Sequence, residues 1–142
     1  DLSYELKKGV LVGELGVSGG VSSLRAEMVS YAKQFLGNPY VWSGTNPNRG
    51  ADCSGFTQYV YRHFGYGIDR VSRSQAVNGT SISASAAKPG DLIFYGSGSY
   101  INHVTMYIGN GQVIHASNKR TGIKISNMYY RDPIKAVRII ND

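Results

Sequence analysis

The chain has 142 residues, enough for one domain with a sizeable core and too few, by default, for two independent ones. Hydrophobic residues make up 42% and charged residues only 17%, with 18 glycines and 11 tyrosines, which excludes a disordered chain and a coiled coil. The net charge of +6 suits an anionic setting or a merely soluble surface, but the basic residues come as short pairs, Lys7-Lys8 and Lys119-Arg120, without zinc-finger, phosphate-loop or ribonucleoprotein motifs, so nucleic acid is not an expected partner.

Residues 1–20 lack sustained periodicity and end in a Gly/Ser cluster, so residues 1–22 read as a linker or extended arm and 23–142 as the compact domain. Neither this arm nor any later stretch approaches the ~18 consecutive apolar residues of a membrane helix, and residues 1–20 do not read as a charged-then-apolar leader. From Ser23, the apolar positions Leu24, Met28, Tyr31, Ala32, Phe35 and Leu36 recur at helical spacing, with Ser23 as N-cap and Gly37 as stop. The segment 38–52, NPYVWSGTNPNRGAD, is dense in Asn, Gly and Pro and predicts a long loop that delivers the chain into Cys53. Phe56, Tyr59, Val60 and Phe64 then recur at helical spacing as far as Gly65, so Cys53 lies in the first turn of a second helix. Residues 66–90 read as polar loop with a short helix around Ser74–Asn78. Lys88-Pro89-Gly90-Asp91 marks a turn into the first of five predicted strands: Leu92–Tyr95, His103–Ile108, Gln112–Ala116, Ile123–Ser126 and Ile134–Ile140. Helices followed by strands predict an α+β fold, with N-terminal helices packed on a central antiparallel sheet.

A single cysteine excludes an intramolecular disulfide and a four-cysteine zinc site, so Cys53 is either a buried small residue or a nucleophile. Unpaired N–H groups at a helix start favour a thiolate and can also hold an oxyanion, but the same position suits Asp52 as a plain N-cap. A base is needed to choose between them. Alternation puts Val104, Met106 and Ile108 on the core face of their strand and His103, Thr105 and Tyr107 on the other. A two-residue Asn110-Gly111 turn without a bulge would set His115 opposite Met106, on the wrong face. A three-residue loop over Gly109–Gly111, with Gly111 left-handed, sets His115 across from Thr105 and diagonal to His103, and is the expected geometry. Two histidines on one face beside a helix-capping cysteine match the nucleophile, base and orienter of cysteine hydrolases. His63, in the second helix, is read as non-catalytic.

These residues resemble the NlpC-type family of papain-like cell-wall peptidases. The matching elements run in family order: Gly37-Asn38-Pro39-Tyr40-Val41-Trp42, Asp52-Cys53-Ser54-Gly55-Phe56, Arg70-Val71-Ser72 with Gln75, Pro89-Gly90-Asp91-Leu92, Asn102-His103-Val104 and Ile114-His115-Ala116. The resemblance implies a papain-like fold with Cys53 as nucleophile, His103 as general base and acid, and His115 as its orienting partner, with no metal and no cofactor. It further implies that Tyr40 lines the site and helps hold the oxyanion, that Asp52 and Ser54 hold the free amine of an N-terminal L-alanine, and that Arg70 and Ser72 flank the substrate groove. The blander readings of that last pair are a surface cation and a helix cap. The implied substrate is the peptidoglycan stem peptide, cut at the γ-D-glutamyl bond to the following diamino acid by a secreted, monomeric enzyme at the cell wall, with anionic wall polymer as a further partner. The alternatives are an N-acetylmuramoyl-L-alanine amidase and a non-catalytic wall-binding module. Ser43-Gly44 departs from the Gly-Gly often found in the family after the Tyr-Val-Trp run.

Overall fold

The structure, a computed structural model, describes residues 22–142, so the expected N-terminal arm lies outside the described residues apart from Ser22. Helix α1, Ser23–Lys33, starts one residue earlier than expected, because Ser22 is the N-cap and its hydroxyl accepts from the Arg25 N–H. A hairpin of two short strands, β1 (Thr45–Asn46) and β2 (Gly50–Ala51), folds back the expected loop before Cys53. Helix α2 is Cys53–His63, and the short helix α3 is Ser72–Gln75, two residues ahead of its expected start.

Among the described residues, six strands then form one antiparallel sheet: β3 (Thr80–Ile82), β4 (Leu92–Ser97), β5 (Tyr100–Gly109), β6 (Gln112–Asn118), β7 (Gly122–Asn127) and β8 (Lys135–Arg138). Their order across the sheet is β3-β8-β4-β5-β6-β7. β3 is not visible as a strand in the sequence, since Thr-Ser-Ile carries too little alternation; its pairing with β8 makes it one. The fold is α+β as expected.

One sheet face meets the helices. Leu92, Phe94, Val104, Met106, Ile114, Ala116 and Val137 pack with Met28 and Ala32 of α1 and Phe56, Val60 and Tyr61 of α2, all fully buried. Each large apolar side chain among them contributes about 1.5–3 kcal/mol by leaving water. The opposite face, which carries His103 and His115, is covered too: Ile93, Tyr95, Val113 and Ala136 form a second cluster with Met128. The histidines therefore sit at the margin of a small second core.

The β5–β6 hairpin corrects one expectation and keeps its consequence. The turn is the two-residue one, with Gly109 paired to Gln112 and with Asn110 and Gly111 both left-handed, at φ 53° and 73°. A bulge between Tyr107 and Gly109 absorbs one residue, so Met106 faces Ile114 and Tyr107 faces Val113. Continued along the strands, that register sets His115 across from Thr105, as the three-residue loop would have done.

The Pro89-Gly90-Asp91 corner is a structural device. Arg25, fully buried, donates from Nη1 to the Asp91 carboxylate (3.0 Å) and the Pro89 carbonyl (2.8 Å), from Nη2 to the Ile140 carbonyl (3.0 Å), and from Nε to Asp142 (3.0 Å). Arg138 donates to the other Asp91 oxygen at 2.9 Å, and the Tyr61 hydroxyl donates to the Gly90 carbonyl. This network ties α1 to the start of β4 and to the C-terminal strand, and so fixes the helices over the sheet that bears the histidines.

Candidate active site

Cys53 opens α2 because Asp52 caps it: the Asp52 backbone is extended and its Oδ1 accepts from the Gly55 N–H at 2.7 Å. The approach of the preceding loop is set by backbone contacts that leave no room for side chains. A Cβ on Gly55 would lie 2.1 Å from the Gly44 carbonyl oxygen. That same oxygen accepts from the Asp52 N–H at 3.1 Å and from Arg70 Nη2 at 3.1 Å. Ser43, at the position where the family often has glycine, is left-handed with φ 64°, a conformation that glycine adopts without strain.

Arg70 is neither a free surface cation nor a simple groove wall. Its Nη1 and Nη2 donate to the two Asp52 oxygens, both at 3.0 Å, and Nη1 also donates to Ser54 Oγ at 2.9 Å. Asp52 is therefore charge-compensated by a two-pronged pair at the mouth of the site. Gln75, fully buried, braces this corner by donating to the carbonyls of Ser54 (3.0 Å) and Asp69 (2.8 Å) and accepting from the Thr57 hydroxyl (2.7 Å). Ser72 is not the cap of α3, which is Val71 without a side-chain bond; Ser72 is the buried first residue of that helix and lines the cleft.

The two histidines meet. Nε2 of His103 lies 2.8 Å from Nδ1 of His115, and Nε2 of His115 lies 2.9 Å from the Ser126 hydroxyl on β7. Tyr130 packs against His115, ring centroids 5.3 Å apart, and against Tyr95 at 5.2 Å. Ser126, Tyr95 and Tyr130 were not singled out from the sequence. The pairing of Ser126 with Val113 across β6 and β7, next to His115, is the signal that could have found the first. His63 lies away from this group, stacked on Tyr31 with centroids 3.8 Å apart.

Burial governs the electrostatics. It lowers His103 to about 4, with the charge of Arg131 acting in the same direction, and lowers His115 to about 3, helped by His103 and Lys124. Both rings are thus neutral at neutral pH. Burial likewise pushes the Cys53 thiol above its ordinary value, outweighing the backbone hydrogen bonds from Val104 and Ser54 that pull it down. The thiolate favoured by a helix start is not the resting form here, because the same packing that places Cys53 against β5 removes it from water. Tyr40 is also raised, by burial and by the nearby Cys53 and Asp52, and keeps its phenolic proton.

Cys53 and His103 line one cleft of about 680 Å³ together with Tyr40, Asp52, Ser54, Arg70 and Ser72, so every candidate site residue except His115 reaches it; His115 stands behind His103. Among the described residues, no cluster of three or more His, Cys, Asp or Glu is placed to hold a metal ion, and no helix is long and apolar enough to cross a membrane.

Comparison with known proteins fits this geometry. The NlpC/P60 family model matches residues 37–139. A Listeria innocua serovar 6a protein named "Probable endopeptidase p60" is 44% identical over 102 residues, 72% of this chain and 21% of that protein. A Bacillus cereus gamma-D-glutamyl-L-lysine dipeptidyl-peptidase is 41% identical over 103 residues, 70% of this chain and 30% of that protein. The chain therefore spans a fifth to a third of the length of these relatives. The crystal structure of the NlpC/p60 domain of the peptidoglycan hydrolase SagA superposes with a TM-score of 0.74 at 42% identity, covering 80% of this chain and 97% of that one. A fold of helices on an antiparallel sheet, a lone cysteine and a histidine lining one cleft, and a family match over most of the compact domain lead to one assignment: the chain belongs to the NlpC/P60 family.

Proposed function

We propose that the chain is a cell-wall cysteine peptidase that hydrolyses peptidoglycan stem peptides, at the γ-D-glutamyl bond to the diamino acid after L-Ala-D-Glu. The observation that carries the reading is the His103–His115–Ser126 series beside Cys53 in one cleft. The neutral tautomer pair that leaves Nδ1 of His103 as an acceptor has His103 Nε2–H donating to His115 and His115 Nε2–H donating to Ser126. In that state His103 takes the thiol proton as Cys53 attacks the amide carbonyl, and later delivers it to the leaving amine; water then hydrolyses the thioester. His115 orients His103 and accepts its hydrogen bond as the imidazolium forms. The Cys53 backbone N–H at the start of α2 and the protonated Tyr40 hydroxyl are the proposed donors to the developing oxyanion.

Asp52 and Ser54 are proposed to hold the amine of an N-terminal L-alanine, with Arg70 fixing both. Ser72, buried on the cleft wall, contacts the same part of the peptide. The name of the Bacillus cereus relative supports the choice of bond. A secreted site of action at the wall and attraction of the +6 chain to anionic wall polymer follow from the same reading. Mass spectrometry of digested muropeptides tests it: an L-Ala-D-Glu fragment is expected, whereas release of intact stem peptide from muramic acid would make the chain an amidase. Binding to walls without any cleavage would make it a binding module.

A further inference from the structure

The cleft is lined by three guanidinium groups and one carboxylate. Arg70 is consumed by Asp52. Arg73 and Arg131 are not: among the described residues neither pairs with a carboxylate, and each is held by neutral groups. Arg73 Nη1 donates to the Tyr100 hydroxyl at 2.7 Å, with its guanidinium carbon 5.0 Å from that ring. Arg131 Nη2 donates to the Gly96 carbonyl at 3.3 Å and contacts Asn102 Oδ1 at 3.4 Å, with its guanidinium 5.8 Å from the Tyr95 ring. Tyr100 and Asn102 line the same cleft, and they flank the strand position that leads into His103.

We propose that Arg73 and Arg131 form a carboxylate-binding subsite, which receives a free carboxylate that the substrate carries beside the scissile amide. The proposal deepens the peptidase reading and rests on it. Two forked donors, positioned in advance by neutral partners and lacking a counter-ion, suit a planar anion better than an amide or an ammonium. Because they share a cleft with Cys53 and His103, the anion they meet belongs to the peptide being cut rather than to a polymer elsewhere on the surface. The substrate chemistry offers two sources. A γ-linked glutamate keeps its α-carboxylate free, and a diaminopimelate residue carries a side-chain carboxylate that lysine lacks. Lysine at that position would leave the pair unfilled unless the glutamate fills it.

The test is kcat/KM on four synthetic L-Ala-γ-D-Glu-diaminopimelate peptides whose C-terminal main-chain carboxylate is amidated throughout: with the glutamate α-carboxylate and the diaminopimelate side-chain carboxylate both free, with either one amidated, and with both amidated. Wild type should prefer a free carboxylate at one of the two positions by about 10- to 100-fold, the worth of a charged hydrogen bond. The position of the preference identifies the source. Arg73→Gln with Arg131→Gln should erase it, while Arg73→Lys should keep part of it. Taking the acid-to-amide ratio within each variant cancels any effect of Arg131 on His103, and equal melting temperatures guard against misfolding. No preference in wild type, or a preference that survives in the double variant, overturns the subsite and leaves the peptidase reading standing. Failure of wild type to cut any of the four overturns both.

Discussion

Nε2 of His103 and Nδ1 of His115 are 2.8 Å apart, a hydrogen bond between two neutral rings on adjacent strands that exists because a bulge near a tight turn restores the right register. The position of His115, the proposed orienting residue, thus depends on the placement of one surplus residue between Tyr107 and Gly109.

Removing the partner should expose its role. His115→Ala is expected to lower kcat/KM by ~10²-fold or more, since His103 is then free to rotate and to take the wrong tautomer. His115→Asn, whose side-chain oxygen can stand in for Nδ1, should recover much of this. Ser126→Ala loses one hydrogen bond to His115 and should cost about fivefold to tenfold. Steady-state kinetics on a stem-peptide substrate separates the three; a Ser126→Ala loss as large as that of His115→Ala would contradict this order.

The pH response follows from the lowered histidines. His103 stays neutral down to about 4, so the acid limb of kcat/KM should fall near there and not at the ordinary 6.5. Stability falls in the same direction, but over a window that opens at higher pH. Below 6.5 the unfolded chain takes protons on these histidines that the folded chain refuses until about 4 and 3, so stability should decline as the pH falls through that window. Thermal melts of wild type and His115→Gln between pH 6.5 and 4 check this. The variant should lose less on acidification, and parallel curves would refute the assignment.

The thiol gives an independent reading. With burial holding Cys53 above its ordinary value, alkylation of the free enzyme by iodoacetamide should be slow at mildly acidic pH and rise steeply on the alkaline side. A plateau of fast labelling at acidic pH would mean a resting thiolate and would contradict the neutral pair described above.

Much of this was legible in the sequence. The period of Met28, Ala32 and Phe35 located α1, and Asp52 before a helical run located Cys53 at a capped helix start, because both signals are local. The covered second face was not legible. It is built by Met128, which lies in a short turn after β7, and by Ala136 on the far strand, residues with no periodic relation to His103. Nor was the Arg70–Asp52 pair, which joins a loop to a helix cap across 18 positions. The raised thiol was not legible either, because helix position is visible in a sequence, whereas desolvation depends on what packs around the site.

The Arg25–Asp91–Arg138 network predicts the cost of disturbing the scaffold. Asp91→Asn leaves two guanidinium groups, one of them fully buried, without their shared carboxylate, and should destabilise the fold by about 3–5 kcal/mol in urea or thermal unfolding. Loss below about 1 kcal/mol would show that the network contributes little to stability.

Whether Cys53 is the nucleophile is decided by incubating purified muropeptides with wild type and with Cys53→Ala and separating the products by chromatography. Wild type should release an L-Ala-D-Glu fragment, and the variant should be slower by at least ~10⁴-fold while keeping a melting temperature near that of wild type. Equal cleavage by the two proteins would contradict a nucleophilic Cys53.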